Sequence, residues 1–135
     1  MSAQEVLATA IKAAIQAQLP TGVTVYDVDE VPGTTGGPTS STGNPPLRYV
    51  TIQLSRRWHP ERRGDADMIH GGALTTHYYA PNVTVCRDLR AAVTAALEDR
   101  AYALPSGDTV GPFSHQFDGE PDFAEGWSAF DLWKF

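Results

Sequence analysis

The sequence predicts an α+β fold: a mainly antiparallel or mixed sheet of about five strands with two helices packed on one face, in the order α-β-β-β-α-β-β. Two segments carry apolar residues at helical spacing, which indicates amphipathic helices. Several short segments are rich in β-branched and aromatic residues, as strands are. Packing both helical stripes on the same sheet face would bury them together.

Length and composition set the limits of this fold. The chain has 135 residues, which predicts a single domain over 1–135 with one core. It is 41% hydrophobic and has no apolar run near the ~18 residues of a membrane span, so we expect no membrane partner. The start of the chain shows no signal-peptide pattern. A lone Cys86 excludes an internal disulfide framework and indicates a small buried residue in a reducing compartment.

The first predicted element is a helix. Ser2 and Glu5 have the spacing of a capping box, and an apolar stripe follows until Pro20. Residues 23–28 are β-branched and predict a strand. Residues 33–46 contain only Gly, Pro, Ser, Thr and Asn, a composition typical of a loop.

Residues 48–79 predict a long hairpin with a basic tip. Residues 48–54 alternate polar and apolar side chains, as a half-buried strand does. Residues 55–67 are polar and predict a long turn, and residues 68–79 form the return arm. Two successive glycines, Gly71 and Gly72, predict a bulge or bend in that arm.

The second arm leads into the unit with the clearest boundaries. A strand at 74–79 ends at Pro81, and Asn82 is a favoured helix N-cap. An apolar stripe then runs from Val85 to Leu97, and the Pro-Ser-Gly sequence at 105–107 ends the unit. The rest of the chain should pack on this strand and helix.

Two more strands are expected at 109–117 and 127–135, around a turn rich in Gly, Pro and acidic residues. The last strand has large apolar residues on both pleat faces: Trp127 and Trp133 on one, Phe130 and Leu132 on the other. We therefore expect helices to cover one face and a second chain to cover the other.

Charge is distributed unevenly along the chain. The net charge of −6 argues against a general nucleic-acid binder. Basic and acidic residues nevertheless cluster in two separate segments, which form the candidate protein interface: Arg56, Arg57, Trp58, Arg62 and Arg63 in the hairpin, and Asp118, Glu120, Asp122 and Glu125 near the last turn. A solvated turn and a nucleic-acid contact are the alternatives for the basic segment.

We find no motif that predicts catalysis, a cofactor or a metal. The four histidines lack the paired spacing of zinc ligands, and phosphate-binding glycine patterns are absent from the sequence. The segment around His70, Gly71 and Gly72 resembles the HGG motif of hot-dog acyl-CoA thioesterases, but only over six residues. A glycine bend within a strand is the simpler interpretation, and the thioesterase is kept as an alternative.

Taken whole, the chain resembles the tail terminator proteins of long-tailed bacteriophages, including tail-completion proteins of the actinobacteriophage type. The resemblance rests on the segments VTVYDVDEVP, YVTIQL, HYYAPNVTVCRDLRAAVTAALEDR and WSAFDLWKF. It implies a virion protein, assembled in the host cytoplasm, that forms a hexameric ring at the head-proximal end of the tail. Its implied partners are the tail-tube protein and the head-connector or stopper protein, with DNA only as cargo through the ring. Another head-to-tail connector or neck protein is the alternative, and no catalytic residues carry over.

Overall fold

The computed structural model describes residues 3–31, 47–54, 59–63, 66–70, 72–105, 107–123 and 127–135. The elements follow in chain order as α1 (Ala3–Gln16), β1 (Val25–Asp27), β2 (Tyr49–Leu54), β3 (His59–Arg63), β4 (Ala66–His70), β5 (Ala73–Ala80), α2 (Val83–Leu97), β6 (Tyr102–Ala103), β7 (Thr109–Val110), β8 (Ser114–Phe123) and β9 (Trp127–Lys134). In the described part of the chain, no helix is long and apolar enough to cross a membrane.

The main sheet has five strands in the order β1-β2-β5-β9-β8. β1 pairs with β2 in parallel, whereas the other three neighbouring pairs are antiparallel. The sheet is therefore mixed and mainly antiparallel, and α1 and α2 pack on one of its faces. The predicted α+β class is confirmed.

The core lies between this face and the two helices. The core residues expected from the helical stripes and from the alternating strand are each at most 1% exposed: Leu7, Ile11, Ile15, Val50, Ile52, Leu89, Val93 and Leu97. Cys86 is buried in the same core, and burial raises the pKa of its thiol. At the start of α2, the side chain of Asn82 accepts a hydrogen bond from the backbone N–H of Val85 at 2.9 Å, so the predicted N-cap is confirmed.

A second, four-stranded sheet has the order β3-β4-β7-β6, which the sequence did not predict. The predicted long turn over 55–67 is wrong in part, because His59–Arg63 is a strand paired with Ala66–His70. β4 is held on its other side by β7, in parallel. β7 thus anchors β4, and β4 in turn supplies the antiparallel partner for the polar, proline-containing β3.

The acidic segment is also extended, which corrects the predicted turn. Asp118, Glu120 and Asp122 lie in β8, which continues to Phe123 and pairs with β9. Two register shifts, between His115 and Phe117 and between Gly119 and Asp122, interrupt the ladder. Such bulges accommodate glycine and proline in a strand at the edge of a sheet. The predicted loop at 33–46 lies outside the described residues.

Candidate interaction surface and the polar cluster behind it

The face of the main sheet opposite the helices carries a continuous row of aromatic side chains. Strand alternation puts Leu74, Thr76 and Tyr78 of β5 in the core, so the residues between them point to the opposite face. We call this second face the open face. Six of its residues form the row, and together they represent all five strands: Tyr26, Tyr49, His77, Tyr79, Phe130 and Phe117.

Each ring of the row contacts the next. Tyr26 meets Tyr49 edge-on with centroids 6.2 Å apart, and Tyr49 stacks on Tyr79 at 4.6 Å. His77 lies 6.2 Å from Tyr79 and 5.8 Å from Phe130. Phe117 completes the row, 5.8 Å from Phe130. Ring contacts of this kind stabilise the rings as a group beyond the area that they bury.

Burial increases toward the middle of the row. Desolvation by neighbouring side chains raises the pKa of Tyr49 and Tyr79 and lowers the pKa of His77. At the β8 end, Phe130 is 37% exposed and Phe117 is 55% exposed. This end of the row is therefore a hydrophobic surface available for contact.

Gly119 makes room for the exposed end of the row. It is the register partner of Phe130, and a Cβ placed on Gly119 would lie 2.2 Å from the Phe130 ring. The Phe130 ring therefore covers the bare glycine backbone, an arrangement known from other sheets as aromatic rescue. A side chain at position 119 would push the ring off the strand.

Behind this end of the row, on the core side, lies a cluster of polar groups centred on Asp131. The Asp131 side chain is 1% exposed and accepts three hydrogen bonds. Its Oδ2 accepts from the Tyr78 hydroxyl at 2.5 Å and from Arg90 Nε at 3.1 Å, and its Oδ1 pairs with His115 Nε2 at 2.9 Å. A buried carboxylate is tolerated because its lone pairs are satisfied in this way.

The hydrogen bonds to Asp131 continue into the core as a directed chain. Trp133 Nε1 donates to Thr76 Oγ1 at 3.1 Å, Thr76 donates to the Tyr78 hydroxyl at 2.7 Å, and Tyr78 donates to Asp131. This direction follows because an indole N–H can only donate and an ionised carboxylate can only accept. Burial, and next the negative charge of Asp131, raise the pKa of Tyr78 far above its ordinary value, so the phenol stays protonated.

Arg90 connects this cluster to the aromatic row. Besides Asp131, its guanidinium donates to the backbone carbonyl of Gly119 and, at 3.3 Å, to that of Phe130. Gly119 and Phe130 are register partners across β8 and β9, and they lie at the exposed end of the row. Helix α2 therefore holds β8 and β9 in place from the core side, directly behind Phe130.

The polar cluster was not predicted from the sequence. Its partners are far apart in the chain: 41 residues separate Arg90 from Asp131, and 53 separate Tyr78 from it. One signal was present, because Asp131 shares a pleat face with Trp127 and Trp133 in an otherwise apolar strand. An acid at such a position requires buried donors.

Five of the nine predicted interface residues fall on two strands. Arg62 and Arg63 lie in β3, the outermost strand of the second sheet, and Asp118, Glu120 and Asp122 lie in β8, the outermost strand of the main sheet. Asp118 and Asp122 are exposed. The remaining predicted interface residues lie outside the described residues: Arg56, Arg57, Trp58 and Glu125.

The structure places the other chemical candidates as follows. The segment after His70 and Gly72 is strand β5, whereas the hot-dog resemblance requires a helix there. His59 and His70 are register partners across β3 and β4. Among the residues whose side chains are described, no three His, Cys, Asp or Glu residues are grouped so as to hold a metal ion.

No protein-family model matches the chain, and no curated protein matches its sequence.

Proposed function

We propose that this chain is a structural virion protein that forms a hexameric ring, terminates a phage tail tube and joins it to the head connector. The proposal rests on the resemblance to tail terminators and on one structural observation. The described parts of the basic and the acidic segments lie in outer strands, β3 and β8, of two different sheets.

A ring needs heterologous contacts, in which one patch of a subunit meets a different patch of the next. Outer strands offer unpaired backbone groups, and charged residues on them control which strands can approach. Two copies of β8 repel each other because Asp118 and Asp122 are both exposed acids. A β3 segment that ends in Arg62 and Arg63 is a better neighbour for β8, and this pairing is heterologous.

Complementary charges set register and association rate more than they set affinity. We therefore assign the affinity of the ring to apolar surface, with Trp58 and the last strand as candidates. In this proposal one face of the ring binds the tail-tube protein and the other binds the head-connector or stopper protein. DNA passes through the ring as cargo.

Charge reversal tests the ring contact. Arg56, Arg57, Arg62 and Arg63 are changed together to glutamate, and the mass of the assembly is measured by native mass spectrometry at low salt. We expect the ring to dissociate, because like charges then face each other. Reversing Asp118, Glu120, Asp122 and Glu125 to lysine in the same chain should restore part of it.

The matched control reverses two arginines outside the proposed contact, for comparison with reversal of Arg62 and Arg63 alone. Arg87 and Arg100 on and after α2 are exposed and lie on neither outer strand. Changing this pair to glutamate should leave the ring intact, whereas changing only Arg62 and Arg63 should weaken it. A ring that survives the fourfold reversal at low salt would contradict the proposed contact.

The same two strands would serve another head-to-tail connector or neck protein. The position of the protein in the virion separates these functions. Immunogold labelling of assembled particles should place it at the junction between tail tube and connector if it terminates the tail.

A further inference from the structure

The charges of the open face lie at its two ends. Lys134 is at one end, where its register partners are Ala73 and Ser114, and Asp122 is at the other, opposite Ser128. Between them, every residue of β1, β2, β5, β8 and β9 on this face whose side chain is described is aromatic, aliphatic, small or an uncharged polar residue apart from His77. Lowering of the His77 pKa by burial favours its neutral form.

We propose that the open face binds the open face of a second copy of this chain, in an isologous dimer. The twofold axis lies between the two sheets and runs across the strands. This operation reverses the strand direction and brings Lys134 of each copy over Asp122 of the other. Ser128 and Lys134 are six residues apart, which is ~20 Å along the strand, so the two ion pairs lie at opposite ends of the contact.

Charge selects a second copy as the occupant. Each copy has a net charge of −6, so two copies repel over most of their surface. Among the side chains that the structure describes, the centre of the open face carries no acid, and its ends carry one charge of each sign. It is therefore self-complementary, whereas β8 paired with itself would oppose acid to acid. The aromatic row has no array of cations with which to bind phosphate, which disfavours nucleic acid as the occupant.

The size of the face suits a modest dimer. Five strands ~4.8 Å apart span ~19 Å, so the flat footprint is on the order of 400 Å². Stable complexes bury ~800 Å² of accessible surface per partner, and a corrugated aromatic face exposes more than its flat footprint. The contact thus belongs with weak or transient interfaces rather than with permanent ones, and we expect a dissociation constant in the micromolar range.

The side chains of the aromatic row are also restricted before a second copy binds. Stacking of Tyr49 on Tyr79 and the placement of Phe130 over Gly119 restrict the ring rotamers. Arg90 fixes the backbone of Gly119 and Phe130 from behind. Side chains that are already restricted lose little conformational entropy on association, which favours the contact.

Phe117 gives the first test. It is 55% exposed on the open face, so Phe117→Gln leaves the core unchanged. The full chain is measured by sedimentation velocity from ~1 to 100 μM in 1 M NaCl, where ionic contacts between outer strands are screened. We expect a monomer–dimer equilibrium whose dissociation constant rises about 30-fold in the variant, because the substitution acts on both copies. Ala95 is exposed on α2, so Ala95→Gln is the control and should not alter the dissociation constant.

Charge exchange tests the twofold geometry at low salt. Lys134→Asp and Asp122→Lys should each weaken the homodimer, because each change sets like charges against each other at both ends. An equimolar mixture of the two variants should form a heterodimer, because both ion pairs are then restored. Circular dichroism checks that each variant is folded.

Two results would overturn the proposal. One is a wild-type chain that stays monomeric up to 100 μM in 1 M NaCl, and the other is a dimer that Phe117→Gln does not weaken. The ring and dimer proposals share Asp122 and the last strand, so variants outside these residues separate them: reversal of the four arginines changes no residue of the open face, and Phe117→Gln changes no charged residue of β3 or β8. A wild-type chain that forms no ring but still dimerises contradicts only the ring proposal, and a wild-type chain that forms the ring but does not dimerise through the open face contradicts only the dimer proposal.

Discussion

At the scale of single residues, Asp131 places a carboxylate within the core of the main sheet. It is a charged group at 1% exposure in a strand whose neighbours on the same face are Ala129 and Trp133. Removing a carboxylate from water is costly, and the cost is offset here by donors from β5, α2 and β8. The cluster therefore joins three strands and a helix through one side chain.

The first prediction follows from that arrangement. Asp131→Asn removes the charge that Arg90 and His115 face, so the free energy of unfolding should fall by about 2–4 kcal/mol. Asp27→Asn is the matched control, because its Lys12 partner is bound at 2.7 Å but both side chains are over a quarter exposed. That change should cost less than ~1 kcal/mol. Urea unfolding measures both, and equal losses would contradict a special role for Asp131.

Tyr78 makes the free energy of unfolding depend on pH in the alkaline range. Its pKa in the folded protein is raised above the ordinary value near 10, so the unfolded chain releases this proton first as pH rises. The contribution of Tyr78 to the free energy of unfolding is complete below pH ~10. Above that pH the contribution falls, by at most about 1.4 kcal/mol per pH unit. Urea unfolding between pH 8 and 11 should therefore show a shallower decline in Tyr78→Phe than in the wild type. Parallel declines would show that Tyr78 titrates normally.

At the residue scale, local signals were predictable and long-range partners were not. The Asn82 cap could be inferred because its acceptor and donor lie three residues apart. The open face could be inferred in part, since Phe130 and Leu132 alternate with Trp133 in the last strand. The full row could not, because stacking of Tyr49 on Tyr79 depends on the register between two strands.

At the scale of elements, hydrophobic periodicity predicted the two helices and the core strands correctly. It failed where tertiary pairing overrides composition. The sequence of β8 contains Gly119 and Pro121, which predict a turn. Its backbone is nevertheless extended, because β9 supplies a long antiparallel partner. β7 is only two residues long, too short for any sequence pattern, and exists because it lies between β4 and β6.

The connection from β7 to β8 contains a glycine whose space is limited. Gly111 has φ +110°, and a Cβ there would lie 2.7 Å from the backbone oxygen of Arg100. Gly107 has φ +91° but nothing within 4 Å of its Cβ position. Gly111→Ala and Gly107→Ala both place a Cβ at a residue with positive φ, which is unfavourable. Only Gly111→Ala also forces the backbone at position 111 away from the backbone of Arg100.

We therefore expect Gly111→Ala to cost roughly 2–4 kcal/mol and Gly107→Ala about 1 kcal/mol. Thermal or urea unfolding of the two variants measures the difference directly. Equal costs would mean that the chain around Arg100 relaxes to admit the methyl group.

At the scale of the molecule, the two sheets share one core. Val110 of β7 and the neighbouring Leu104 and Phe113 belong to the same buried cluster as Trp133 of the main sheet. The outer strand β3 and the open face, whose edge strand is β8, lie outside this core. Both proposed contacts therefore depend on the same set of buried side chains.

The shared core leads to the last prediction, that both sheets unfold in one cooperative transition. In a Trp58→Phe/Trp127→Phe background, Trp133 is the only tryptophan and reports on the main sheet, while far-ultraviolet circular dichroism reports on the whole backbone. The two urea transitions should coincide. Val110→Ala, a change in the second sheet, should lower the stability sensed by Trp133 by about 2 kcal/mol, because the cavity opens in a common core. If Val110→Ala shifted only part of the dichroism signal and left the Trp133 transition in place, the second sheet would be an independent unit, and the single core described here would be wrong.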